Sequence, residues 1–546
     1  MRTMSFLLSA IAGLLLAEIG RAADMLPAAR PLHEVVDHYI DTPLREQTVE
    51  PAPLADDATI LRRLTLDLVG RIPTASELQA YQSSTDTDKK AKLVDRLMAS
   101  GGFLRHQVNE LDSLLSTAPV GSRRSDGSMR EYLTLAVKEN RPWDRIYREL
   151  MIADESDPSR KGSSKFLKSR VKDIDRLTTE VSILFFGVNI SCAQCHDHPL
   201  VQDWKQEHYY GLKAFFAPTF EAGQLLGEKE PAVVPFKSPK GAGKNATMMF
   251  LTGKPLEVAT AKPLTPAELK KMKDEEKKRP KNDKTPPKPP KFSARAALVE
   301  ASLKPEARHF FAKSFANQMW YRLFGLGLVS PIDQMHSENL PSHPELLEWL
   351  ARDTAEHGYD LRRLIRGLVL SNAYARSSRY ESEKRPGVRS FAVARLRALT
   401  PMQLATSLRI ATADPDQLGG KVEPVEIERR IEQYENSARG IANLFEQPRD
   451  DFQISVTEAL LFSNSDRIQR EMLADGGDRL VGKIKEMKDP EAAVEIAIRN
   501  ILTRVPAPEE KKAMVEYLTQ RRDRLADGYR QMVWALLTSA EFRFNY

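Results

Sequence analysis

Two long stretches of helical periodicity, separated by a segment where that periodicity fails, limit what this chain can fold into. From Leu32 to about Phe220, and again from Ser293 onward, apolar residues recur at three- and four-residue spacing between capping signals. Asp56-Asp57 precede a run in which Ile60, Leu61, Leu64 and Leu68 share a face, and Gly70 and Pro73 close it. Thr74 with Glu77 reads as a capping box. Ser342 with Glu345 and Thr400 with Gln403 read the same way, each with a proline in the first helical turn. Asp360 is placed to cap a helix from Leu361 to Tyr374. Phe311, Phe315, Met319 and Leu323 step by four along a broad apolar stripe. No stretch alternates with period two between turn signals, so a sheet core is not expected. The expected fold is all-α: two helical domains, 23–220 and 293–546, joined by a Lys/Pro-rich linker, 221–292.

In that linker Thr247 to Leu251 could form a short strand, and Thr265, Pro266 and Glu268 could start a charged helix. Pro286-Pro287 and Pro289-Pro290 enforce extended backbone. The two halves are therefore expected to contact each other less than their own cores. Lys262 to Lys291 carries ten lysines and one arginine against five acidic residues, which accounts for the whole chain's net charge of +6. The remainder is balanced, so neither a basic domain nor a nucleic-acid partner is implied.

Residues 1–22 read as an export signal. Arg2 supplies the positive start, Phe6 to Ala17 a short apolar run, and Gly20-Arg21-Ala22 a small-residue cleavage site. The run is too short to span a bilayer, as is Val181 to Ile190, so no membrane span is expected once the signal is removed. The expected location is the periplasm or cell-envelope space.

Ser191-Cys192-Ala193-Gln194-Cys195-His196-Asp197-His198 holds both cysteines of the 546-residue chain. Two thiols three apart, followed by histidine, are what a polypeptide needs to hold a c-type haem covalently. Cys192 and Cys195 would form the thioethers and His196 would ligate the haem iron. Two other uses of the cluster stay open. Cys192, Cys195, His196 and His198 could hold zinc, or the two thiols could form a disulfide with no cofactor bound. His106, His208 and several methionines are distal-ligand candidates, none favoured by spacing. Trp204, Tyr209-Tyr210 and Phe215-Phe216 could wall a haem crevice or simply pack a helix on the core. His336, His343 and His357 lie at helix boundaries, where polar residues are expected anyway.

The chain resembles a two-domain family abundant in planctomycete bacteria, the domain-of-unknown-function families 1549 and 1553. The first of these is described as a cytochrome-like domain. The likeness rests on Leu64-Thr65-Leu66-Asp67-Leu68-Val69-Gly70-Arg71-Ile72-Pro73-Thr74, on Arg130-Glu131-Tyr132, and on Cys192 through Pro199. It continues in Tyr209-Tyr210-Gly211-Leu212, in Asn317 to Phe324, and in Trp534 to Leu537. The resemblance implies an exported protein with a CxxCH motif in its first half and no assigned reaction. The family's usual Trp-Leu-Asp is Glu110-Leu111-Asp112 here.

No phosphate loop, nucleophile elbow or HExxH occurs, so catalytic residues are unknown and an electron carrier or scaffold is expected rather than a catalyst. The function expected is that of an exported cytochrome-like protein with one haem, transferring electrons to or from exported redox or other protein partners. The alternative is a non-catalytic helical binding protein whose cluster holds zinc or a disulfide.

Overall fold

A computed structural model describes residues 25–116, 128–257 less 224, 232, 239 and 240, 285–448 less 286 and 421, and 468–546, with single positions at 267, 274 and 280. The export signal at 1–22 and the charged helix at Thr265, Pro266 and Glu268 lie outside the described residues.

Among the described residues the fold is mainly helical, with only short antiparallel strand pairs. Most capping signals act as expected. Asp56 Oδ1 accepts from Thr59 N at 2.8 Å and starts the helix Asp57–Val69, which Gly70 ends at φ +73°. Thr74 and Glu77 form the box that opens Ala75–Ser83, and Thr400 and Gln403 open Pro401–Ala411. Two readings differ. Helix Pro344–Glu356 starts from His343, one residue later than the box requires, with no side-chain cap, and the Ser342 hydroxyl meets His343 Nδ1 instead. Helix Leu361–Leu370 stops short of Tyr374, because Ser371 caps a separate turn, Asn372–Ala375.

The segment after Phe220 is more structured than its failed periodicity suggests. Thr219–Ala222 pairs with Leu225–Glu228, and Val234–Lys237 with Gly243–Ala246. The expected strand at Thr247 to Leu251 is not formed; Met249 makes only an isolated bridge to Pro255. A third pair, Arg397–Ala398 with Phe544–Asn545, ties the chain's end back to the middle of the second half.

Among the described residues the buried side chains form two clusters, and the division between them does not fall at the Lys/Pro-rich segment. The first cluster runs from Leu32 to Leu251 and continues from Ala294 to Ala392. Trp143 stacks on Phe315 with centroids 5.5 Å apart, and Tyr147 packs on Phe311 at 5.0 Å. Contacts between aromatics from the two halves thus lie inside one core, contrary to the expectation that the halves keep mainly to themselves. The second cluster holds Leu399 to Phe542, together with Leu66 and Ile72 from the first half.

Helix Asp57–Val69 belongs to both cores: Leu64 and Leu68 face the first, Leu66 the second. Arg62, Arg63, Thr65 and Asp67 on this helix are buried as well. Arg62 donates to Phe542 O at 2.9 Å, and Arg63 to Tyr546 O at 3.1 Å and Arg376 O at 2.9 Å. Asp67, 4 % exposed, takes two bonds from Arg397 at 2.8 and 2.7 Å, one from the Tyr374 hydroxyl at 2.7 Å and one from Asn545 at 2.9 Å. A buried carboxylate is tolerable only when paired and fully hydrogen-bonded, and here every donor comes from the second half. Arg62, Arg63 and Asp67 therefore form a clamp between the two halves.

Candidate functional site

Helix Ile174–Phe186, capped by Asp173, delivers the chain to the cysteine motif, and Gly187 ends it at φ +68°. A Cβ on Gly187 would stand 2.8 Å from Met335 Sδ, so the glycine serves both the turn and the close approach of that side chain. The chain is then held against 333–335 by backbone bonds: Asn189 N donates to Asp333 O at 2.7 Å and Met335 N to Gly187 O at 3.0 Å.

Ser191–Gln194 forms one 3₁₀ turn. Ala193 is fully buried in the first core and pins it, leaving Cys192 and Cys195 exposed and unjoined on either side. The turn's far edge is bound from helix Gln206–Phe216, with the Tyr210 hydroxyl donating to Gln194 O at 3.1 Å and Gln206 Nε2 to the same oxygen at 3.4 Å. Asp197 Oδ1 accepts from Gln206 N at 3.0 Å, satisfying a free donor of that helix's first turn.

The two motif histidines differ in their hydrogen bonding. His196 is exposed, and its Nδ1 lies 2.7 Å from Asp197 O. A carbonyl can only accept, so Nδ1 carries the proton and Nε2 presents its lone pair to whatever group occupies the site. His198 is bonded in the opposite sense. Its Nδ1 accepts from Leu200 N at 3.3 Å and Val201 N at 3.1 Å, which places the neutral ring's proton on Nε2. Partial burial and the nearby His336 and His196 rings hold His198 below the ordinary imidazole pKa. For His198 to ligate a metal through Nε2, it would have to give up both backbone bonds. Among the described residues, no three His, Cys, Asp or Glu side chains come together as a metal-binding group.

A cleft of 590 Å³ opens beside the motif, walled by Trp204, His208, Phe310, Met335 and His336. Its link to the motif is direct, since His198 N donates to Trp204 O at 2.8 Å. His208, one of the distal candidates, lines it; burial lowers its pKa, and its Nδ1 accepts from Lys205 N at 3.2 Å. His106, the other, does not: it packs against Gly70 and lines a second cleft. Of the expected crevice aromatics only Trp204 reaches the cleft, while Tyr209, Phe215 and Phe216 are fully buried in the core. His336 lines the cleft with a buried Nδ1 that has no partner. His343 does not line it, and His357 bonds back to Asp353 O at 2.9 Å as a helix-end residue.

The sequence did not mark Met335 and marked His336 only as a helix-boundary histidine, because nothing local makes Asp333-Gln334-Met335-His336 a partner of a motif more than a hundred residues earlier. Their position depends on packing between the halves.

Residues 35–221 match a family described as PSCyt2, protein of unknown function (DUF1549), and residues 294–518 match PSD1, protein of unknown function (DUF1553). The chain belongs to this two-domain family. The first match contains the cysteine motif and the Asp67 clamp, and the second contains Tyr374, Arg397, Met335 and His336. The residues gathered at each place therefore come from both family domains. No curated protein and no solved structure matches the chain.

Proposed function

We propose that this protein is an exported, c-type cytochrome-like carrier with one covalent haem, exchanging electrons with another exported protein. The observation that carries the reading is the pairing of two exposed, unjoined thiols on one 3₁₀ turn with a neighbouring His196 whose Nδ1 proton is held by Asp197 O at 2.7 Å. Cys192 and Cys195 would hold the porphyrin and His196 Nε2 the iron, which when bound supplies a one-electron couple. A proximal imidazole commonly donates its other ring nitrogen to a carbonyl or carboxylate, which fixes the ring and raises its basicity. Asp197 supplies that carbonyl, and its carboxylate is occupied in holding the next helix in place.

The cleft beside the motif supports the same reading. It is rich in aromatic and imidazole side chains, the surroundings that exclude water from a redox group and tune its potential. Export is part of the proposal, because haem is joined to such thiols outside the bacterial cytoplasm.

The test is the pyridine haemochrome spectrum of protein made in a host with cytochrome c maturation. The wild-type chain should carry about one haem that survives denaturing electrophoresis. Cys192→Ser with Cys195→Ser should carry none. Wild-type protein without haem under these conditions refutes the proposal.

A further inference from the structure

A second cleft, of 390 Å³, lies at the junction of the two cores and has no connection with the cysteine motif's chemistry. Helices Gly101–Leu115 and Arg308–Phe324, together with the strand-bearing segment around Arg397, line it. Much of its wall is apolar, including Leu114, Met319 and Met402. Three lining residues each carry a buried polar atom without a partner: His106 Nε2, Gln318 Oε1 and Arg322 Nη2. His106 is 5 % exposed and Gln318 7 %. Buried polar atoms are normally satisfied, and three orphans around one cleft call for an explanation.

The hydrogen bonds define what each orphan can do. The His106 ring is turned toward the Asp67 backbone carbonyl, and Nε2 is the ring nitrogen left without a partner, free to accept. Burial lowers this ring's pKa to about 4, so it is neutral. Gln318 spends both amide hydrogens on Leu184 O at 2.6 Å and Ser314 Oγ at 3.1 Å, which leaves Oε1 as a second acceptor. Arg322 binds Gln107 Oε1 through Nη1 at 2.8 Å and stands 3.5 Å from Glu110 through Nε, leaving Nη2 as a donor. Charge completes the description. Asp67 is matched by Arg397 and Glu110 by Arg322, while Arg395 lines the cleft with no hydrogen bond or ion pair among the described residues. Among the described residues the wall therefore keeps one uncompensated positive charge.

We infer that this cleft binds a small amphipathic organic anion, a carboxylate whose apolar body carries a hydroxyl. The carboxylate faces Arg322 Nη2 and Arg395, the hydroxyl donates to His106 Nε2, and the body lies on Leu114, Met319 and Met402. Because the site is built from both cores, its occupant also fastens them together.

Calorimetric titration of the mature full-length chain tests this, with para-hydroxyphenylacetate as the probe. Phenylacetate, which lacks the hydroxyl, and para-hydroxyphenethyl alcohol, which lacks the charge, are the controls. Saturable binding at one site is expected for the probe, with each control about tenfold weaker for the loss of one charge-assisted or buried hydrogen bond. Arg395→Gln touches no internal bond. It should weaken the two carboxylates about tenfold and leave the alcohol unchanged. His106→Phe should remove the probe's advantage over phenylacetate. Absence of saturable binding by all three compounds, or carboxylate binding indifferent to Arg395→Gln, overturns the inference.

Discussion

The Asp67 clamp yields the sharpest stability prediction. Its carboxylate is only 3 % exposed, the Arg397 side chain 16 %, and the pair is closed by two bonds of 2.8 and 2.7 Å with Tyr374 and Asn545 completing the shell. Asp67→Asn conserves shape but removes the charge and replaces one acceptor oxygen with a donor. About half of the four bonds are lost, and an Arg397 nitrogen or a neighbouring donor then faces an amide N–H. Removing one partner of a buried pair costs about 3–5 kcal/mol, most of it from the charge left without compensation. Arg397→Met alone should cost a similar amount. The double variant Asp67→Leu, Arg397→Met removes both charges and should cost about 2–3 kcal/mol less than the sum of the singles. Urea unfolding followed by tryptophan fluorescence measures all three, and calorimetry adds a second readout. Because the clamp joins the two cores, Asp67→Asn should separate their melting into distinct transitions. A cost below about 1 kcal/mol for Asp67→Asn, with additive single variants, would show that the clamp carries no such energy.

Three further predictions test neighbouring claims. Burial alone would raise the Glu77 carboxyl, but the charge and bonds of Arg71 outweigh it and hold its pKa at about 2, against an ordinary 4.5. Its contribution of about 3 kcal/mol is therefore complete above about pH 4.5 and lost as pH falls toward about 2; Glu77→Gln should flatten the stability profile in that window, measured by urea midpoints against pH. Gly70→Ala places a Cβ 2.5 Å from His106 Nδ1 at a residue with φ +73°, so it should cost about 1–2 kcal/mol from the backbone alone and more from the displaced ring, read as a fall in Tm. His198→Asn keeps an oxygen acceptor for Leu200 N and Val201 N, so the haem-loaded protein should keep its Soret position; a shifted spectrum would make His198 an iron ligand.

The helices were legible because their ends are written in short-range chemistry. Asp56, Thr74, Asp360 and Thr400 each cap the helix expected of them, and Gly70, Gly187 and Gly325 each stop one at positive φ. Ser342 failed as a cap because the helix starts one residue later, with His343 at the cap position, and the Ser342 hydroxyl meets His343 Nδ1 instead. The cysteine motif was legible for the same reason as the caps, since all its information lies within eight residues. What could not be read is everything made by contact across the chain. Arg62, Arg63 and Asp67 look like the polar face of an amphipathic helix, yet all three are buried because partners from residues 374 to 546 meet them. The same blindness hid Met335, the place of His336 beside the motif, and the unpartnered atoms around His106. The Lys/Pro-rich segment suggested separable halves, whereas aromatic packing such as Trp143 on Phe315 makes one core of both.

The central claim is that Cys192, Cys195 and His196 hold a covalent haem. Mass spectrometry of the proteolytic peptide spanning Ser191 to His198, taken from protein matured in a host that attaches haem outside the cytoplasm, addresses it most directly. The account predicts that this peptide carries the mass of one haem joined through both thiols, with the iron's absorption spectrum altered by His196→Ala. Recovery of the peptide only as free thiols, as an intact disulfide or with zinc bound would contradict it.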